Sequence, residues 1–352
     1  MPLSRDVEAV RPRRFFAIGG PPAAASILAV HLCGEMLRHS FAAALVAPGN
    51  SLGDVDAGAV EDADAVLLFF DVPDENIPPF ISREHVRAVL IEEDFERTAH
   101  YCMSARQMGH VDAIRFLTQS WACLDAFAQL PGLPTVRPRE YADLLQLIDR
   151  LAEALGIAEL PQWPLTRGRM AETYGGFASV DEAINQFIHM AAEADAAAAV
   201  VEEDVATLLG KLAEGYGVGA RSVARHLEWP AELLLDGKPP HAAVDGTMDV
   251  TGPARVLTFG PYLHLPAGRW AAQFLFETGD NASSNRFMFD IVADGVVRFS
   301  TLGNMSESGR FAIASEFEVR RARDPVEFRT FLTEGAIEGF FRPIGIELQR
   351  MG

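Results

Sequence analysis

Lysine is nearly missing from this chain: Lys211 and Lys238 are the only two, and the remaining basic residues are arginines scattered among 49 acidic positions. The formal charge of -19 leaves no basic stripe to meet a phosphate backbone or an anionic bilayer, so nucleic acid and membrane surfaces are excluded as partners. Only Arg11, Arg13 and Arg14, and Arg320, Arg321 and Arg323, stand together as groups of three. Cysteine is scarce as well. Cys33, Cys102 and Cys123 form no Cys-x-x-Cys pair, which excludes a disulfide framework and a zinc ribbon and fits a reducing cytoplasm. Residues 1–14 lack the apolar centre of a signal peptide, and no run reaches the ~18 apolar residues of a membrane span.

What the 352 residues do contain is enough apolar sequence for two cores. Phe15–Ile18 is a short apolar run ending in Gly19-Gly20-Pro21-Pro22, and residues 23–39 follow with helical spacing. Similar runs at 42–46, 65–70 and 86–91 end near Gly, Pro or acidic residues, as buried parallel strands do. A helix over 111–129, a short strand at 134–137 and a helix over 140–155 capped by Gly156 complete a three-layer α/β domain over residues 1–160. A helical connector spans 161–240. Within it, Ile184, Phe187, Ile188, Val201, Val205, Leu208 and Leu212 make one stripe behind a Ser179/Glu182 capping box. That stripe predicts either a helical hairpin, broken near the alanines at 196–199, or a homodimer through 180–212.

Past Pro239-Pro240 the text changes to short alternating runs at 257–259, 270–276, 287–292, 296–302, 311–319, 326–332 and 344–348, with Asp294-Gly295 as a two-residue hairpin turn. This predicts a jelly-roll-like antiparallel β-sandwich over 241–352.

A strand–turn–helix with a glycine pair is where an α/β domain holds phosphate. Gly19, Pro21 and Ser26 resemble the first loop of the sulfotransferase family, Gly-x-Pro-Arg-Ser-Gly-Thr-Ser/Thr. Val89–Glu92 leading into Glu93-Asp94-Phe95, with Tyr101 beyond, is similar to its second motif, and Arg139–Leu144 with Leu155-Gly156 to its ending. The resemblance implies a site for 3′-phosphoadenosine 5′-phosphosulfate held by Gly19, Gly20 and Ser26. Here, however, Pro22, Ala23, Ala24 and Ala25 replace the polar middle, and Glu93 stands where the family needs an arginine. The expectation is therefore a vestigial site with no catalytic residue and no cofactor; an active transferase using main-chain contacts is the alternative.

Other chemistry has thinner support. The nine histidines show no His-x-x-x-His pair, so no metal site is expected, although His100 and His110 flank Cys102. Asp71/Asp74 and Glu92/Glu93/Asp94 sit at strand ends, where acid and base groups are placed. The most distinctive text is Phe259-Gly260-Pro261-Tyr262-Leu263-His264-Leu265-Pro266-Ala267-Gly268-Arg269-Trp270. It resembles the opening of β-sandwich modules attached to bacterial glycosyltransferases and other surface-polysaccharide proteins, similar in plan to carbohydrate-binding modules. That resemblance implies an accessory protein of polysaccharide assembly that binds a glycan or an assembly protein. Tyr262 and Trp270 are its candidate platforms, and Asn281, Asn285 and Arg286 its polar contacts, although the favoured place for Trp270 is the sandwich core. A docking protein without sugar specificity is the remaining alternative.

Overall fold

The computed structural model describes residues 14–187, 202–216, 223–282 and 284–351. They divide into two compact units, one of residues 14–20, 25–92 and 131–187, the other of 21–24, 93–130 and the described residues from 202 onward. The fold is α/β in the first and mainly antiparallel β in the second.

In the first unit β1 (Arg14–Gly19), β2 (Ala44–Pro48), β3 (Ala65–Phe70), β4 (Arg87–Ile91) and β5 (Thr135–Val136) form a wholly parallel sheet of order β2-β3-β1-β4-β5. Its strands are continuous apolar runs rather than alternating ones. Ala65-Val66-Leu67-Leu68 is buried throughout, as a strand covered on both faces must be. Helices α1 (Ala24–Ser40), α2 (Ala57–Glu61), α3 (Ile77–Arg83), α6 (Leu144–Ala154), α7 (Trp163–Tyr174) and α8 (Val180–Phe187) belong here too. Gly156 takes the left-handed conformation at φ 66° where α6 ends, and Asp143 caps its start by accepting from the Gln146 N–H. Ser179 Oγ accepts from the Glu182 N–H at 3.1 Å at the start of α8. The expected long helix is described only as α8 and, further on, α9 (Glu203–Tyr216); residues 188–201, with the alanine run and with Ile188 and Val201 of the proposed dimer stripe, lie outside the described residues.

The second unit is built on two antiparallel sheets. One has the order β13 (Val296–Met305), β12 (Asn285–Ala293), β15 (Val326–Leu332), β9 (Arg255–Phe259), β7 (Leu235–Asp236), with β10 (Pro261–Leu263) also on β15. The other runs β14 (Gly309–Val319), β11 (Gly268–Gly279), β16 (Phe340–Arg350), β6 (His226–Pro230), with β8 (Met248–Asp249) on β16. Between them lies a phenylalanine core. Phe276 sits 5.0 Å from Phe289 and 5.3 Å from Phe341, centroid to centroid, and truncating any such ring costs roughly 3–5 kcal/mol.

Three helices join this core: α4 (Phe95–Ala105), α5 (His110–Ala128) and α9 (Glu203–Tyr216), through Phe95, Ile114, Leu117, Leu212 and Tyr216. The compact units thus follow boundaries other than 160 and 240. Residues 93–130 belong with the sandwich, and 226–236 supply two of its strands. The reason is apolar surface: Leu227 and Trp229 point inward on β6 while His226 and Glu228 face solvent, an alternation that only a sheet partner can bury. Among the described residues no helix is long and apolar enough to cross a membrane.

Candidate functional site

In the first unit, β1 and β4 are neighbours whose chains depart toward opposite edges of the sheet, and ligand crevices of open α/β sheets lie outside the carboxyl ends at such a point. The residues there are mostly committed to one another. Gly20 donates its N–H to Phe70 O at 3.2 Å, and a Cβ on Gly20 would fall 2.8 Å from Ser26 Oγ and 3.0 Å from Ile91 Cβ. Ser26 is fully buried and its Oγ has no hydrogen-bond partner. At the end of β4, Glu92 accepts from Arg137 Nε at 2.6 Å, and Arg137 also reaches Glu140 at 3.0 Å, so this cation is held by two carboxylates. Those two hydrogen bonds push the Arg137 pKa up.

The acidic pairs have local partners. Asp71 accepts from Asn50 Nδ2 at 3.1 Å, while Asn50 Oδ1 takes the Asp71 and Val72 N–H groups, and Asp74 accepts from the Asn76 N–H. Asp94 caps α4 through the Arg97 N–H at 2.9 Å, and Glu93 accepts from the Asp94 N–H. Cys102 is buried and its thiol points at Pro22 O, 3.7 Å away. Among the described residues no three His, Cys, Asp or Glu side chains could hold a metal ion.

The sandwich scatters the five residues expected to meet a ligand. Trp270 is fully buried and donates its indole N–H to Pro266 O at 3.0 Å, so it is core and offers no ring face. Asn281 and Asn285 are buried too. Asn281 accepts from the Asn285 N–H at 2.9 Å and donates to Met305 O; Asn285 donates to Glu338 O at 2.8 Å, so the two amides brace the entry to β12. Arg286 is exposed on β12 and pairs with Glu334 at 2.8 Å. Tyr262 is half-buried at the end of the sheet.

Strand register shows what surrounds Tyr262 and Arg286. Met288 stands opposite Phe331 and Leu302, Asp290 opposite Arg329 and Ser300, and Phe331 opposite Val256. These side chains share the outer face of the larger sheet, since Phe287, Phe289 and Ile291 alternate with them toward the core. Arg329 lies over the Phe331 ring at 5.4 Å and donates to Asp290 Oδ2 at 2.8 Å. One edge of the face is finished by Tyr262, whose hydroxyl donates to Glu327 Oε1 at 2.8 Å and whose ring lies under Arg115 of α5 at 5.2 Å. Phe259 meets Tyr262 edge-on at 6.2 Å. Burial, then the Glu327 hydrogen bond and charge, push the Tyr262 phenol up to about 12. Leu302, 66% exposed, and Val297, 53% exposed, leave apolar surface at the opposite edge.

The result is a sheet face on which the half-buried Phe331, Arg329, Glu327 and Tyr262 are held in place by one another and by the buried Asp290. Ring faces and methylenes can take the apolar side of a pyranose, and planar charged groups can take its hydroxyls. Of the five residues singled out in the sequence, Tyr262 and Arg286 lie on this face; Phe331, Arg329 and Asp290 were not among them. The signal was present in β15, where Glu327, Arg329 and Phe331 alternate with the inward Val326, Phe328, Thr330 and Leu332.

No family model matches the chain, and no curated protein is similar to it. Among solved structures, the C-terminal CBM6 of LamC, a marine laminarinase from Zobellia galactanivorans, is 12% identical over 36% of this chain and 99% of its own, with a TM-score of 0.24. TmCBM61 in complex with β-1,4-galactotriose is 14% identical over 34% of this chain and 81% of its own, with a TM-score of 0.22. Dimeric latent PorU from Porphyromonas gingivalis is 13% identical over 36% of this chain and 12% of its own, with a TM-score of 0.23.

Proposed function

We propose that the protein is a non-catalytic glycan-binding accessory protein whose binding surface is the outer face of the larger sandwich sheet. The observation that carries this reading is the row Phe331, Arg329, Glu327 and Tyr262, which offers ring surface beside hydrogen-bonding groups, with Arg329 fixed by the buried Asp290. The non-catalytic half draws support from the first unit. The text that follows Gly19-Gly20 is apolar from Pro21 to Ala25, and the arginine beside the end of β4 is occupied by Glu92 and Glu140. A place in bacterial surface-polysaccharide assembly rests on the residue 259–270 text alone.

The test uses the full chain on a glycan array, with hits measured by calorimetry for wild type and for Phe331→Ala. A bound glycan whose affinity falls about fivefold to tenfold in the variant, at unchanged melting temperature, is the expected result for a lost ring contact. An array with no hit, or a hit that Phe331→Ala leaves untouched, would remove this surface from consideration. Titration with 3′-phosphoadenosine 5′-phosphosulfate is the second arm, and micromolar binding there would overturn the non-catalytic half.

A further inference from the structure

The two sheets end in edge strands that are protected very unequally. At one end of the smaller sheet, β6 carries Pro230 and is covered by α9, so closely that a Cβ on Gly215 would collide with Leu227. In the larger sheet the ladder of edge strand β13 with β12 shifts register between Ile291 and Val292, and Gly303 interrupts its side chains. Both are devices that discourage a sheet from extending.

Nothing comparable blunts β14. It is 11 residues long, contains no proline or lysine, and pairs with β11 in unbroken register from Gly309 to Val319. Among the described residues no other strand pairs with it. Its solvent-facing residues are Arg310, Ala312, Ala314, Glu316 and Glu318; Arg310 is 75% and Glu318 52% exposed. The inward-facing Phe311 and Ile313 stay half-buried for lack of a neighbour beyond them.

We propose that the free edge of β14 is a self-association surface whose occupant is β14 of a second copy, antiparallel about a twofold axis at Ala314. Charge favours a second copy as the partner and disfavours one of the two neighbouring registers. Full overlap of Gly309–Val319 with its own copy puts Arg310 opposite Glu318 twice and Phe311 opposite Phe317 twice, with Ala314 facing Ala314 at the axis. Sliding the copies two residues apart, so that Ala312 faces Glu318, sets Arg310 opposite Arg320 and opposes like charges. The small alanines leave the backbones room to approach. Two five-strand sheets join into one, and the half-buried Phe311 and Ile313 gain the missing neighbour.

The axis stands normal to the sheet, so side chains that face solvent in one copy face the same way in the other. The pairing rests on the smaller sheet alone and stands whether or not the larger sheet binds a glycan.

Light scattering and sedimentation of the full chain at tens of micromolar test it, with Ala314→Lys, Arg310→Glu and the double swap Arg310→Glu/Glu318→Arg. A dimeric wild type, dimer affinity weakened at least tenfold by each single change, and recovery in the double swap are the expected results. Circular dichroism checks that the variants, all at solvent-facing positions, remain folded. A monomeric wild type overturns the proposal, as does a dimer indifferent to both single changes, which would place the contact elsewhere in the chain. A double swap no better than Arg310→Glu also overturns it, because the register predicts that reversing both signs restores the pair.

Discussion

Arg350, the last residue of β16, donates from Nη1 to Asp125 Oδ2 on α5 at 2.9 Å, and the other oxygen of Asp125 accepts the Val223 N–H at 3.1 Å. One buried carboxylate therefore ties together the end of the sandwich, the segment leading into β6 and a helix more than two hundred residues upstream of Arg350. Burial pushes the Asp125 pKa up, and the Arg350 guanidinium opposes that rise. Asp125→Ala leaves a guanidinium and a main-chain donor without their acceptor. The expected loss is about 3 kcal/mol, the lower end for breaking a buried pair because Arg350 keeps some contact with water. Urea unfolding measures it, and a loss below about 0.5 kcal/mol would show that α5 is held by its apolar face alone.

A fragment covering 241–352 should not fold. It lacks β6, whose Leu227 and Trp229 are buried against the sandwich, and the helices that contribute Phe95, Leu117 and Tyr216 to the same core. Trp229 donates its indole N–H to the Tyr216 hydroxyl, which in turn donates to His264 O at 2.6 Å, so deletion also strips a buried polar chain. Exposing that much apolar surface predicts an aggregating fragment with no cooperative melt. A soluble 241–352 with a sharp transition would mean that the helices are an accessory layer.

The elements that could be read in the sequence are those whose pattern is local. Ala65–Phe70 and Val326–Leu332 emerge with the expected bounds, because a continuous apolar run and a strict alternation each admit one burial geometry. Asp294-Gly295 turns the β12–β13 hairpin at φ 53° and 73°, as a two-residue turn between twisted strands requires. What stayed hidden depends on partners distant in sequence. The 111–129 periodicity gave α5 correctly but not its association with β10, β16 and α9, and His226–Pro230 was too short to stand out from a helical neighbourhood. For the candidate site the asymmetry is sharper. In the most distinctive text Trp270 is core, as its favoured reading has it, while Phe331 reaches the face only because β15 pairs with both β12 and β9.

Gly20 is expected to resist substitution for reasons of space. A Cβ there meets Ser26 Oγ at 2.8 Å and Ile91 Cβ at 3.0 Å, and Ile91 sits in a central strand with no room to yield. Gly20→Ala should cost roughly 1–3 kcal/mol by overpacking. Combining it with Ser26→Ala, which removes the nearer atom, should recover part of that loss. Thermal unfolding of the two single variants and the pair checks this; strict additivity would show that Gly20 and Ser26 are energetically independent.

His264 should give the protein a stability that falls with acid in a defined window. Its ring is buried where α5 meets β10, and burial lowers its pKa from 6.5 to about 4, with main-chain hydrogen bonds to Arg323 and Arg115 opposing the drop and the Arg115 charge adding to it. Because the folded value lies below the unfolded one, the unfolded chain binds the proton more readily between pH 6.5 and 4. The stabilisation is therefore complete above pH 6.5 and is lost as pH falls toward 4. Lowering the pH from 7 to 5 should cost about 2 kcal/mol through this group. Carboxylates also titrate toward the bottom of that range, so the comparison is between wild type and His264→Gln, each unfolded in urea at pH 7 and pH 5. His264→Gln should be the less stable protein at pH 7 yet lose about 2 kcal/mol less on acidification. Equal losses in the two proteins would mean that the buried imidazole takes up its proton without leaving its place, as it could if water reaches the unpartnered Nδ1.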